Sequence, residues 1–557
     1  MKNLLPGFVI CISLAACGGG GGGGGGSVTP PAGGGGASSP TTASFVVAPG
    51  SSSTIMSVGP QYISTATAAI SISVNNSPPT TLSCASTCTG TLTVSPGSNT
   101  FSIAALDSQL VALSKTSLVI DCPAGQNTVI HAVLNGVAVT AGVTLQSKYA
   151  PMGAPFTTNV VVTARDADGA AIIGPGNYDK PITLTDSDTT GATHLSATTV
   201  NSPSDVVTLS YDGVGFVNPV IAANTGTPQT NPVTARLIPL LQAQELTIPS
   251  GSMTRYGMAV GADGAAYFAE LRGIGRVTPA GVITEFPFTD SRMGPGSMVL
   301  GPDGKVWFDG GINNAPPPIG PANNSYVASI TSTGAITQYP VGNAYPLGGL
   351  TVGPDNNLWF TYINYSIGSA TTGGSTTSYS PTYGNSLNIR ANDIVTGSDG
   401  NLWMSSDQGA LYKYVISTGT VTVYPTPPLF PGAAPGSTIP LRILVGADNL
   451  FYLSSGSQVV KMNTSGATVA TYPFNNVAGT NGQMLSAYGA VWAPLGVNTD
   501  GRPMLAHITT GGAYAEVALP VTASPADQNA PVGALVLGSD GKIWYSRENF
   551  VGSFTTH

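Results

Sequence analysis

Seven times in its C-terminal half the chain follows a tight turn with an aromatic strand, and that repetition sets the fold. The clearest copy is Gly301-Pro302-Asp303-Gly304-Lys305-Val306-Trp307-Phe308. Others begin at Gly261 (GADGAAYF), Gly353 (GPDNNLWF), Gly397 (GSDGNLWM) and Gly538 (GSDGKIWY). A copy one residue short runs from Gly446 to Leu453, and a worn copy from Ala487 to Trp492 precedes the last. The aspartates recur at steps of about 40 to 52 residues, the spacing of propeller blades rather than of helical solenoids. Each repeat carries four short strands, at 256–260, 265–270, 275–278 and 282–286 in the first, which is one blade. The sequence thus predicts an all-β fold with a seven-bladed β-propeller over 245–557. The last repeat lacks a fourth strand. Residues 245–249 match the fourth-strand pattern and are expected to close the ring, leaving no open edge. Within the repeat, Gly supplies positive φ and Asp bonds the backbone ahead of it. The aromatic ring packs between blades, so the motif's own Asp and Trp read as structural.

What precedes the repeats reads as an address, a tether and two further modules. Met1-Lys2-Asn3 and the apolar run after it are too short to span a bilayer. Leu14-Ala15-Ala16-Cys17 resembles the bacterial lipobox. That resemblance implies a signal peptide over 1–16 and a lipidated Cys17, whose several acyl chains hold the chain to a membrane. Gly18 in place of Asp implies outer-membrane or cell-surface sorting. The alternative is an ordinary secretory signal followed by a chance cysteine. Residues 17–44 are almost entirely Gly, Ser, Pro, Thr and Ala, a flexible coil with nothing to bury. Short alternating strands predict β-sandwich modules over 45–143 and 144–239, and both resemble the immunoglobulin-like repeats of bacterial surface proteins. In an oxidising compartment Cys84 and Cys88 flank a short loop and are the expected disulfide, with Cys122 bonded to one of them as the alternative. Asp166, Asp168, Asp186 and Asp188 sit in turns. Closely spaced carboxylates there suit either hairpin turns or a Ca2+ ion. The net charge of −8, with only 18 Lys and Arg in the whole chain, excludes a nucleic-acid partner, which needs clustered cations.

The repeat, with a third strand such as Ile274-Gly-Arg-Val-Thr278, resembles the streptogramin (virginiamycin B) lyase family from about residue 246 to the end. Enzymes of that family open cyclic depsipeptides by Mg2+-assisted elimination, using a Glu-x-His-Gly, a second such His and a Glu after the aromatic pair. Carried over by position, Glu270 matches that Glu and is the catalytic candidate. The histidine position, five residues before the turn Gly, holds Tyr256, Gly296, Gly348, Asn392, Leu441 and Gly533, and the partner Glu position holds Thr254. An elimination needs an acid and base poised near working pH, and His is the usual choice. Binding is therefore the leading expectation, with a protein, peptide or carbohydrate ligand at a mouth formed by Tyr256, Asp309, Tyr362, Asn392 and Arg547, and Glu548 beside them. The alternative is a divergent lyase or hydrolase. No resident cofactor is expected beyond the Mg2+ that a lyase would bring and the possible Ca2+.

Overall fold

The structure is a computed structural model. It describes residues 41–47, 64, 66–83, 88–126, 128, 130, 134–173, 176–251, 253–289, 293–312, 325–341, 347–362, 366–380, 382–383, 387–388, 391–406, 410–425, 442–454, 457–475, 482–521 and 530–556. Cys17, Cys84, His131, the signal peptide and most of the tether lie outside the described residues, as do the side chains of Cys88 and Tyr256. Two compact units result. One takes residues up to 148 with 156–212 and 219–237, and the other takes 149–155, 213–218 and 238 onward.

The first unit is all β. Thr42–Val47 pairs with Cys88–Thr93, and a five-stranded sheet has Ala69–Val74, Gly97–Leu106 and Ala112–Cys122 at its centre. Ile70, Ile72, Phe101 and Ile103 form that sheet's core, together with a buried, free Cys122. Their alternation with half-buried or exposed Ser and Thr is the period-two pattern of a strand with one face in the core. Two four-stranded antiparallel sheets follow. Phe156–Arg165 and Val207–Tyr211 are central to one, Ile182–Asp186 and Val220–Asn224 to the other.

Seven sheets in the second unit follow the repeat, each built on four antiparallel strands. The first is Met253–Val260, Ala266–Glu270, Gly273–Val277 and Ile283–Pro287, in that spatial order. First strands of successive sheets touch around a circle, and that of the seventh, Ala534–Leu537, touches that of the first. These are the blades of a propeller. Ala243–Thr247 pairs antiparallel with Phe550–Phe554 and supplies the seventh blade's fourth strand. The sixth sheet is wider. Ile238–Leu240 runs parallel to Tyr514–Ala518, and Tyr149–Pro151 lies parallel beyond it. Two side chains from the interleaved segments tie this edge. Asn218 exchanges two hydrogen bonds with the Glu516 backbone, and Phe216 stacks on His507 at 4.0 Å.

The repeat's turn has a second job that its sequence did not disclose. Asp303 Oδ1 accepts the indole N–H of Trp307 at 2.8 Å, and Asp355, Asp399 and Asp540 do the same for Trp359, Trp403 and Trp544. Where Tyr replaces Trp, the phenol donates instead, Tyr267 to Asp263 and Tyr452 to Asp448, both at 3.0 Å. A third-strand cation completes the set: Arg276, Lys413 and Lys461 pair with Asp263, Asp399 and Asp448 at 2.6–2.8 Å. A glycine leads each such turn because a Cβ there, as at Gly301, would collide with the aromatic ring, here that of Trp307. The turn's left-handed residue is Gly304 (φ 77) here and Asn356 (φ 59) in the next copy, the residue types that tolerate it. The fully buried indoles then stack on a fourth-strand tyrosine, Trp307 on Tyr339, Trp359 on Tyr379 and Trp403 on Tyr424, at 5.1–5.5 Å. The worn sixth copy turns through Tyr488 and Gly489, both at positive φ, and has no Asp. Its Trp492 Nε1 correspondingly has no partner among the described residues.

Candidate functional site

Three repeat positions meet where the first strands of successive blades touch: the fifth and fourth residues before the turn Gly, and the residue after the aromatic pair. The first is the family's histidine position. A side chain at Gly296 would collide with the Asp309 carboxylate, and one at Gly348 with the Asn392 carbonyl and Thr361 Oγ1. Neighbouring backbones and these side chains therefore occupy the space an imidazole would need. Asn392 is half-buried, and its own N–H donates to the Ser405 carbonyl at 2.8 Å.

At the second position Asp393 and Arg442 stand in adjacent blades, Arg442 Nη1 3.8 Å from Asp393 Oδ1 and donating to the Gly348 carbonyl at 3.4 Å. Asp393 also accepts the N–H of Ile443. At the third position Thr361 Oγ1 accepts the Gly349 N–H at 3.1 Å, closing a bulge in its first strand. Asp309 does the same with Oδ1 for the Ser297 N–H at 2.8 Å. A hydroxyl satisfies that role in the third blade. Asp309 carries a second oxygen, and Oδ2 is buried with no partner among the described residues. Burial pushes its pKa up to about 7, against the Ser297 N–H and Arg442, and nearby Asp393 adds to the rise. Asp393 is raised by burial too.

A separate cleft opens beside Glu270, with a volume of about 420 Å³ and a lining of Ser250, Glu270, Leu271, Arg272, Glu285 and Pro287. Glu270 ends the second strand of the first blade and is 5% exposed. It folds over Gly275, the residue paired with both Phe268 and Glu285. A Cβ on Gly275 would strike the Phe268 ring and stand 2.5 Å from Glu270 Oε1. Only glycine there lets two carboxylates share one face. Glu285 accepts the Ser250 N–H at 3.0 Å. Glu270 Oε1 has no partner among the described residues. Burial, then the charge and hydrogen bond of Glu285, push the Glu270 pKa up to about 8, so it is largely a neutral acid at pH 7.

Other expected mouth residues are placed elsewhere. Tyr362 is fully buried between blades and donates to the Val341 carbonyl at 2.8 Å. Arg547, 1% exposed, lies 3.4 Å from Glu245 of the closing strand, which also accepts the Tyr545 hydroxyl at 2.8 Å. That network fastens the ring. The aspartates considered for Ca2+ work as turn acceptors. Asp166 Oδ1 takes the N–H of Asp168 and Ala170, Asp186 takes Asp188 N–H and the Thr193 hydroxyl, and Asp188 takes Thr190 and Thr193. Among the described residues no group of three or more His, Cys, Asp or Glu could hold a metal ion. The Mg2+ of a lyase thus finds at the family positions one carboxylate, Glu270, and no histidine, which is not a matching donor set. Glu285, Asp393 and Arg442 were not singled out from sequence. The last two had a signal, being the charged residues four before a turn Gly.

The virginiamycin B lyase family profile matches residues 241–552, more than half of the sequence and nearly all of the ring. The chain belongs to the virginiamycin B lyase family. Among solved structures, a streptogramin B lyase shares 20% identity over 56% of this chain and 97% of its own, with a TM-score of 0.45. A catalytically inactive variant of virginiamycin B lyase from Staphylococcus aureus, solved with quinupristin, shares 23% identity over 57% and 99%, also at 0.45. The extracellular domain of a one-component system from B. thetaiotaomicron shares 12% over 82% and 56%, at 0.43. A search of curated proteins finds no match.

Proposed function

We propose that this family member is a binding module rather than a lyase, displayed by an exported, lipid-anchored protein. The observation that carries the reading is the closure of Gly296 and Gly348, where Asp309, Thr361 and the Asn392 backbone fill the space of the family's histidines. Without them, the buried, mostly neutral Glu270 has no imidazole to work with in a proton transfer. The ring instead offers fixed polar groups, the Glu270 cleft and the Asp309–Asp393–Arg442 cluster, on a rigid scaffold. Immunoglobulin-like modules, a Gly-rich tether and acylated Cys17 would hold it out from an outer membrane. Incubating the purified chain with quinupristin and Mg2+ should leave the cyclic depsipeptide intact by mass spectrometry. Turnover that disappears in Glu270→Gln would overturn the reading. Cys17→Ala should shift the protein from the membrane to the soluble exported fraction.

One observation favours the second reading, a divergent lyase. Glu270 keeps the family position, opens into a cleft, and has a second carboxylate beside it. The same assay decides between the two.

A further inference from the structure

We propose that the cleft beside Glu270 recognises a primary ammonium group, a ligand class that deepens the binding-module reading and rests on it. The equivalent position two residues after the aromatic pair holds Tyr362 in the third blade and Arg547 in the seventh. Tyr362 is satisfied internally by the Val341 carbonyl, and Arg547 has its charge paired with Glu245 at 3.4 Å. Glu270, 5% exposed, lines the cleft, and its buried Oε1 has no hydrogen-bond partner among the described residues. An unpaired buried acceptor costs free energy that an internal partner normally offsets. Here the missing partner is a donor arriving from solvent.

The cleft's chemistry selects that donor. Glu270 and Glu285 face each other over Gly275, and Arg272 is the other charged group among the lining residues. With both acids ionised one negative charge is in excess, which suits a monovalent cation. Glu285 already commits Oε1 to the Ser250 N–H. A guanidinium prefers both oxygens of one carboxylate for its planar fork, whereas an ammonium is a compact charge with three rotatable donors that bridges oxygens of two. Leu271, half exposed, and Pro287 give an apolar rim for the carbons that carry the amine. The volume lies near the lower end of small-ligand pockets, enough for a side chain or one sugar ring. The ammonium takes the place of the proton that Glu270 holds in the empty cleft, so binding releases a proton to solvent.

Calorimetric titration of the full chain at pH 7, where Glu270 still holds its proton and both amines are mainly charged, tests this with two amines, Nα-acetyl-lysine methylamide and glucosamine, and two neutral counterparts, Nα-acetyl-norleucine methylamide and N-acetylglucosamine. At least one amine should bind saturably with an affinity ten or more times that of its counterpart. Its heat should change with the buffer's ionisation enthalpy, reporting proton release. A tighter lysine arm points to a peptide-borne amine, a tighter glucosamine arm to an amino sugar. Glu270→Gln and Glu285→Gln should each weaken binding at least tenfold. If either variant melts early, the amine-against-neutral comparison on the unaltered protein still decides. Equal binding of charged and neutral probes, or no saturation by either amine, overturns the assignment. Cleavage of quinupristin by the same preparation would sink the binding-module reading instead, whatever the amines do.

Discussion

Asp309 makes a quantitative prediction. Its carboxyl is 2% exposed, one oxygen closes the bulge at Ser297, and the other is unpartnered among the described residues. The pKa rises from 3.8 to about 7 on folding, so the folded state binds this proton more tightly than the unfolded chain. Stability from this group is therefore full below pH 4 and falls as pH rises from about 4 to 7, by about 4 kcal/mol at 1.36 kcal/mol per pH unit. An asparagine at this position would keep the oxygen that accepts from Ser297 and lose the charge. Asp309→Asn should thus leave stability nearly unchanged at pH 4 and raise it by several kcal/mol at pH 8. His507 complicates the unaltered protein's own profile. Burial lowers its pKa to about 4, so its contribution runs the other way, growing as pH rises from about 4 to 6.5. The difference between variant and parent cancels that term. The assay is melting temperature from pH 4 to pH 8 for both proteins. A pH-independent offset, or a variant less stable at pH 8, would refute the buried-proton argument and imply that Oδ2 has an ionic partner.

Three further outcomes are expected. Asp303→Ala removes the acceptor of a fully buried indole N–H and should cost roughly 1–3 kcal/mol in denaturant unfolding, while binding at the Glu270 cleft is untouched. Glu245→Gln leaves the Arg547 guanidinium buried without its counter-charge. It should destabilise the ring by roughly 3–5 kcal/mol, seen as earlier melting and as protease cleavage near the closing strand. Gly296→His, which restores the family residue type, should fail to confer quinupristin cleavage and should lower the melting temperature, because the imidazole must displace Asp309 and overpacking costs roughly 1–3 kcal/mol.

The repeat made blade number and the blade's four-strand plan legible because each copy is a local hairpin whose Gly, Asp and aromatic lie within eight residues. The indole bond to Asp303 was not legible. It needs the strand after the turn to place Trp307 back over Gly301, a geometry that the spacing permits but does not name. The expectation for Tyr362 had the right end of the strand and the wrong face, since alternate residues of the second strand point into different interblade layers. Glu285 was invisible for another reason. Its importance comes only from lying across Gly275 from Glu270, two strand pairings away in the sheet.

Comparing Thr361 with Asp309 shows how such a ring separates stability from recognition. Both accept the same first-strand N–H, and either side chain satisfies the blade. The choice of Asp adds a buried carboxyl with a pKa near 7 that the hairpin does not need and that lowers stability as pH rises from about 4 to 7. Glu270 is the same case one residue further along the strand, set against Tyr362, whose hydroxyl meets the Val341 carbonyl, and Arg547, whose charge is paired with Glu245. In each instance the blade's structural requirement is met by a neutral or internally paired residue elsewhere in the circle, and the departure from it is an acid with one idle oxygen. Gly296 and Gly275 are the complements of these departures, because each removes the side chain that would fill the acid's place. Function in this ring is therefore to be sought where a blade breaks its own repeat at a cost in stability, and a substitution that removes the cost, such as Asp309→Asn, should stabilise the ring while abolishing whatever that oxygen engages.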